Sequence, residues 1–186
     1  MRSPMRTAAA AAVLLTTVTL SAAAQHGGPS VMADLTNQVS ETQKKIVDLA
    51  KAMPEAAFNW RAGKARTTAE VLQHIIAENY FLPALAGQSI PADVTIKADD
   101  YKTVQAYENR KAPRAEVLAD LEKSFTHFKS AMGKVAPTQL SDTVSAFGMK
   151  FGGQQYWIMA TTHLSEHLGQ LIAYARANDI VPPWSR

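Results

Sequence analysis

The chain has 186 residues, 47% of them hydrophobic and 19% charged, with a formal charge of +3. That is the composition of one folded domain and argues against disorder. There is no cysteine, which excludes a disulfide, a protein thiolate nucleophile, cysteine-ligated zinc, an iron–sulfur cluster and lipid attachment at a lipobox cysteine.

Residues 1–24 read as a secretory signal. Arg2 and Arg6 supply the positive start, an Ala-rich apolar run extends from Thr7 to Leu20, and Ala22-Ala23-Ala24 offers small residues for a signal peptidase. The run is about 14 residues, short of the roughly 20 that cross a bilayer. Cleavage after Ala24 leaves 162 residues and lowers the charge to +1, because both leader arginines are lost. No Lys/Arg cluster is interleaved with aromatics, so a nucleic-acid partner is not expected. Nor is stable membrane insertion once the leader is removed. The expected location is the periplasm or the extracellular space. A cut after Ala23 would instead expose Ala24-Gln25-His26, which can chelate Cu or Ni through its amine and backbone.

Residues 25–30 read as a flexible tail carrying His26, and residues 31–186 as one all-α domain. Four segments carry helical periodicity and none shows sustained two-residue alternation. The first runs from Val31 to Met53 and stops at Pro54. The second opens at Thr67, with Glu70 completing a capping box, and runs to Ala86 before Gly87. The third starts near Pro113, a residue suited to a first turn, and ends near Gly133. The fourth runs from Gly153 to Asn178 and is closed by Pro182-Pro183. Each is about 30 Å long at 1.5 Å per residue. This is the element list of a four-helix bundle. The connection 87–112 between the second and third helices is long enough to cross the bundle end, so those helices need not be antiparallel neighbours. It has room for short structure of its own and is expected to shape a pocket mouth.

The histidines carry the functional signal. On a helical wheel, His74 and Glu78 fall on the face defined by Val71, Ile75, Leu82 and Leu85. His163 and His167 share the inward face of the last helix with Tyr156, Met159, Ala160, Gln170 and Tyr174. His127 falls opposite Leu121, Phe125 and Phe128 and reads as a solvated surface residue. Two imidazoles at i and i+4 on one helix, with a third from a facing helix, can hold one metal ion and leave positions open for substrate. The expected ligands are therefore His74, His163 and His167. Imidazole does not choose among Zn, Ni, Cu and Fe; Zn or Ni is the expected ion. An inward carboxylate is costly unless paired, which makes Glu78 the candidate proton acceptor or fourth ligand. Tyr156, Gln170 and Tyr174 are candidates to face the substrate, and Glu166 to orient an imidazole.

The last helix reads His163-Leu-Ser-Glu-His167-Leu-Gly169-Gln170, the second reads Thr68-Ala-Glu-Val-Leu-Gln-His74, Trp60-Arg61 precedes it, and the chain ends in a Pro-Pro segment. Together these resemble the DinB/YfiT-like superfamily of metal-dependent proteins over about Val31 to Pro183. The resemblance implies a four-helix bundle, a divalent ion held by His74, His163 and His167, and a homodimer. It also implies chemistry of the kind carried out by thiol-dependent transferases and isomerases, although the thiols those transferases use are mainly cytosolic and this chain has a leader. His163-Leu-Ser-Glu166-His167 also fits the inverted zinc-peptidase pattern H-x-x-E-H, but no Glu follows His167 to supply the downstream ligand. The function expected is a metal-dependent hydrolase or transferase acting on a small molecule. The alternatives are a non-catalytic metal-binding protein and a structural bundle.

Overall fold

The computed structural model describes residues 30–185; the leader, His26 and most of the tail lie outside them. Six α-helices and one hairpin follow in the order α1 (Val31–Ala52), α2 (Glu55–Phe58), α3 (Thr68–Leu85), α4 (Tyr101–Glu108), α5 (Arg114–Met132), β1 (Thr143–Ala146), β2 (Met149–Gly152) and α6 (Gly153–Ala177). Among the described residues no helix is long and apolar enough to cross a membrane.

Local chemistry sets the ends of the helices. Ser30 caps α1 by accepting from the Ala33 N–H. Pro54 has no N–H to continue that helix. Thr67 and Glu70 form the reciprocal capping box at the start of α3. Pro113 is the residue before α5, one position earlier than a first-turn proline. The four long helices match their expected spans to within a residue or two. The hairpin was not expected. Its strands have four residues each, too few for alternation to register, and its turn is Phe147-Gly148 where Asn-Gly would have signalled it.

α3 is the centre of the molecule. It is buried around almost its whole circumference from Thr68 to Pro83, as a helix with apolar residues on every side must be. It packs on α5 and α6, while α1 closes the ring by packing on the same two helices. The short α4 covers the remaining side of α3.

Side-chain contacts give the directions. Tyr174 donates to the Arg66 carbonyl and Tyr156 to the Leu82 carbonyl, so α6 runs antiparallel to α3. α4 turns back along α3, with Phe81 on Tyr101 and His74 on Glu108. The chain therefore re-enters the bundle beside the start of α3, and α5 runs parallel to it, with Asn79 donating to Ser124 and Tyr80 against the His127 ring. The middle helices are thus neighbours, but parallel ones.

His127 departs from expectation. It is half-buried, its ring lies 5.0 Å from that of Tyr80, and burial lowers its pKa. α5 touches both α1 and α3, so its covered stripe is wider than one apolar face.

The start of α6 is a close approach of two backbones. A Cβ on Gly153 would overlap the Gln139 carbonyl oxygen in the 3₁₀ turn Pro137–Ser141, and that oxygen belongs to backbone that cannot swing aside. Gly152, its neighbour, has open space around it. Gly153→Ala is expected to lower stability by about 2 kcal/mol or more, as overpacking against rigid neighbours does. Gly152→Ala should change the urea midpoint little, and the pair of midpoints checks the assignment.

Candidate metal centre

The antiparallel pairing of α3 and α6 brings His74 level with His163 and His167. The three rings form a cluster, with centroids 5.3 Å (His74–His163), 4.7 Å (His74–His167) and 4.5 Å (His163–His167) apart and planes close to perpendicular. One nitrogen from each lies within 4.8 Å of the others. His74 is buried; the two α6 histidines are half-buried and open the site to solvent.

Hydrogen bonds settle which nitrogens face inward. The Arg66 carbonyl can only accept, so the Tyr174 hydroxyl donates to it, at 3.0 Å. Tyr174 then receives the Gln170 amide N–H₂ at 2.9 Å. That turns Gln170 Oε1 toward His167 Nδ1, 3.1 Å away, which must carry the proton and donate. His167 Nε2 is left with its lone pair. On α3, His74 Nδ1 donates to Glu108 Oε1 at 2.7 Å, so its Nε2 is also free. His163 Nδ1 faces Glu166 Oε2 at 3.7 Å. Its Nε2 lies 3.2 Å from His167 Nε2.

Those two Nε2 atoms test whether a metal fits. Burial lowers the pKa of His163, with the neighbouring His74 adding to it, and burial lowers that of His167 to about 4. Both rings are therefore neutral near pH 7. In the metal-free chain a neutral His163 can donate its Nε2–H to the His167 Nε2 lone pair; in its other tautomer its Nε2 joins those of His74 and His167 in a three-nitrogen donor set that could hold a cation. For His74 and His167 the inward nitrogen is the one opposite a group that holds the other ring nitrogen, the usual support for a metal-binding histidine.

Glu108 is the site residue the sequence reading missed. It ends α4, inside the long connection 87–112 expected to have room for short structure of its own, and its second oxygen lies 3.5 Å from the Arg66 guanidinium. The signal available was Asp100, which caps α4 by accepting from the Lys102 N–H. Glu78 sits one turn beyond His74, is buried, and can share a cation with His74 and Glu108. Burial raises its pKa to about 7, and the charge of Glu108 adds to the effect.

The remaining expected residues divide. Gln170 and Tyr174 act on the cluster through the chain of hydrogen bonds just described. Glu166 stays exposed beside His163. Tyr156 does not face the cluster: it is fully buried and its hydroxyl donates to the Leu82 carbonyl. It shares the azimuth of His163 but lies seven residues earlier, about 10 Å along the helix axis.

The described chain is mostly helical, and three histidines that could hold a metal ion converge from two antiparallel helices. The profile of the DinB superfamily matches residues 38–171, and the chain belongs to that superfamily. Solved structures with the same fold include a DinB-like protein from Bacillus subtilis, at 15% identity and TM-score 0.60, covering 80% of this chain and 93% of that one. A DinB-like protein from Bacillus cereus matches at 17% identity and TM-score 0.61, covering 82% and 93%. A conserved protein from Enterococcus faecalis matches at 16% identity and TM-score 0.65, covering 80% and 97%. No curated protein matches the chain.

The Glu78 carboxyl gives a pH test in the metal-free chain. Its folded pKa of about 7 lies above the ordinary 4.5, so the folded state binds the extra proton. Its contribution to stability is complete below 4.5 and is lost as pH rises through 7. Glu78→Gln should therefore exceed the parent in stability at about pH 8 by roughly 1–3 kcal/mol. The advantage should vanish below pH 4.5, in urea titrations run with chelator present.

Proposed function

We propose that this DinB-superfamily protein is an exported metal-dependent enzyme, a hydrolase or transferase acting on a small-molecule substrate. The observation that carries the reading is the convergence of the His74, His163 and His167 nitrogens, with two of the three tautomers set by Glu108 and by the Gln170–Tyr174–Arg66 chain. Zn or Ni suits three imidazoles. When bound, such an ion supplies Lewis-acid activation of a substrate donor or of water. Three protein ligands leave room for substrate, which favours a catalytic over a closed structural site.

The chain's own residues supply the rest. Glu78 holds its proton to about pH 7 in the metal-free chain, and a bound cation would favour its carboxylate, the form that accepts a proton. Glu108 keeps His74 turned inward by accepting its Nδ1–H. With no cysteine in the chain, any thiol that takes part arrives with the substrate. Export rests on the leader reading of residues 1–24.

The test is metal analysis of untagged protein. About one Zn or Ni per chain is expected in the parent, and less than about 0.1 in His163→Ala. A metal-poor parent whose melting is unmoved by added Zn or Ni would sink the reading. Glu108→Gln and Gln170→Leu should keep the fold and weaken metal binding by roughly 10–100-fold, the usual effect of losing a group that orients a ligand. An activity screen with His74→Ala as the control separates an enzyme from a metal carrier.

A further inference from the structure

We propose that the loop between α2 and α3, residues 60–67, is a binding site for an oxyanion, the carboxylate or phosphate group of a small molecule, held by Arg61, Lys64 and Arg66. The site goes beyond the metal reading and needs no bound metal ion.

The loop is short and tied at both ends. Arg61 and Thr67 form an antiparallel bridge, and the Thr68 N–H donates to the Trp60 carbonyl at 3.2 Å. Gly63 turns the chain with φ of 57°, in the left-handed region. The Trp60 ring packs edge-on against Tyr174, with centroids 5.1 Å apart, and the Tyr174 hydroxyl holds the Arg66 carbonyl. α6 therefore fixes the loop in place. Its three cationic side chains line one cavity of 220 Å³, shared with Glu108 and Asn109 from the 87–112 connection. That volume is below the roughly 300–1,000 Å³ of a whole-ligand pocket and suits a single charged group.

The charges in the cavity do not balance. Three cations face two carboxylates, Glu70 and Glu108. Both carboxylates have other commitments. Glu70 accepts the Thr67 N–H of the capping box at 2.6 Å and meets Arg61 with its other oxygen at 3.1 Å. Glu108 accepts from His74, and Arg66 approaches only its second oxygen, at 3.5 Å. A charge-assisted hydrogen bond closes to about 2.7–2.9 Å. Arg66 makes no side-chain hydrogen bond among the described residues, and Lys64 no ion pair. A guanidinium carries five N–H donors in a flat fork that matches an oxyanion, so the half-exposed Arg66 has donors to spare. Glu108 is both a wall of this cavity and the acceptor for His74. A bound anion thus sits against the group that orients one histidine of the cluster.

The test titrates inorganic phosphate into the chain stripped of metal on a chelating resin, so that no metal ion binds the phosphate itself. Backbone and arginine side-chain signals are followed by NMR at fixed ionic strength. Saturable shifts confined to residues 60–70 and 108–109 are expected, with a dissociation constant on the order of 1 mM. Arg66→Gln should weaken binding by roughly tenfold or more, the loss of a charge-assisted hydrogen bond. The Arg66 carbonyl that holds Tyr174 survives this change. Lys64→Gln, at an exposed side chain, gives a second reading and should weaken binding by roughly threefold. Glu70→Gln should instead tighten it by roughly threefold, because it frees Arg61 while Gln still serves the capping box. Lys44→Gln removes the same charge from α1, outside the cavity, and should change nothing. Malonate titrated in parallel assigns the group: the tighter of the two probes names it. The site is overturned if neither probe saturates, or if Lys44→Gln weakens binding as much as Arg66→Gln. Metal analysis of the parent decides the metal reading separately, so either can fail alone.

Discussion

The antiparallel register of α3 against α6 is the constraint on which the rest depends. Arg66 opposite Tyr174, His74 opposite His163 and His167, and Leu82 opposite Tyr156 are three levels of one pairing. A hydrogen bond to a backbone carbonyl holds each end, and both carbonyls lie outside the reach of rotamer changes. The histidines sit between these two clamps. A slip of one residue would turn α6 by about 100° and carry His163 out of the cluster. The site is therefore a property of helix packing more than of any loop, which suits a chelating cluster that must hold its geometry.

Burial and polarity conflict on α3, and the site uses that conflict. A helix covered on every side should be apolar, yet His74, Glu78 and Asn79 are all buried on it. Asn79 is partly satisfied by Ser124. His74 is satisfied by Glu108, which comes from a helix only eight residues long. Glu78 has no hydrogen-bond partner among the described residues and responds by holding its proton to about pH 7. Polar groups that weaken a core in this way are found where chemistry requires them.

Much of this was legible in the sequence. The four long helices follow from apolar spacing, the Thr67–Glu70 capping box, Pro54 and the terminal prolines. The wheel placed His74, His163, His167 and Glu78 on inward faces because burial on a helix depends on azimuth. A wheel carries no height, which is why Tyr156 looked like a site residue and is a core residue two turns away. It also treats each helix as having one partner, which is why His127 looked solvated. Glu108 was illegible for a different reason. Its role depends on α4 folding back along α3, and no local pattern states where a connection of that length returns. The hairpin turn hid because Phe147 occupies a position where sequence rules look for Asn or Gly.

Gly153 sits ten residues before His163, on the same unbroken helix. Its missing side chain lets α6 seat directly on the Gln139 backbone. The contact thereby acts as an end stop for a rigid rod: it sets the axial zero from which the histidines are measured, about 15 Å away. A residue with no chemistry of its own thus governs the spacing of the nitrogen donors. The tolerance of the histidine cluster to mutation should be read at that seat as much as among the histidines themselves.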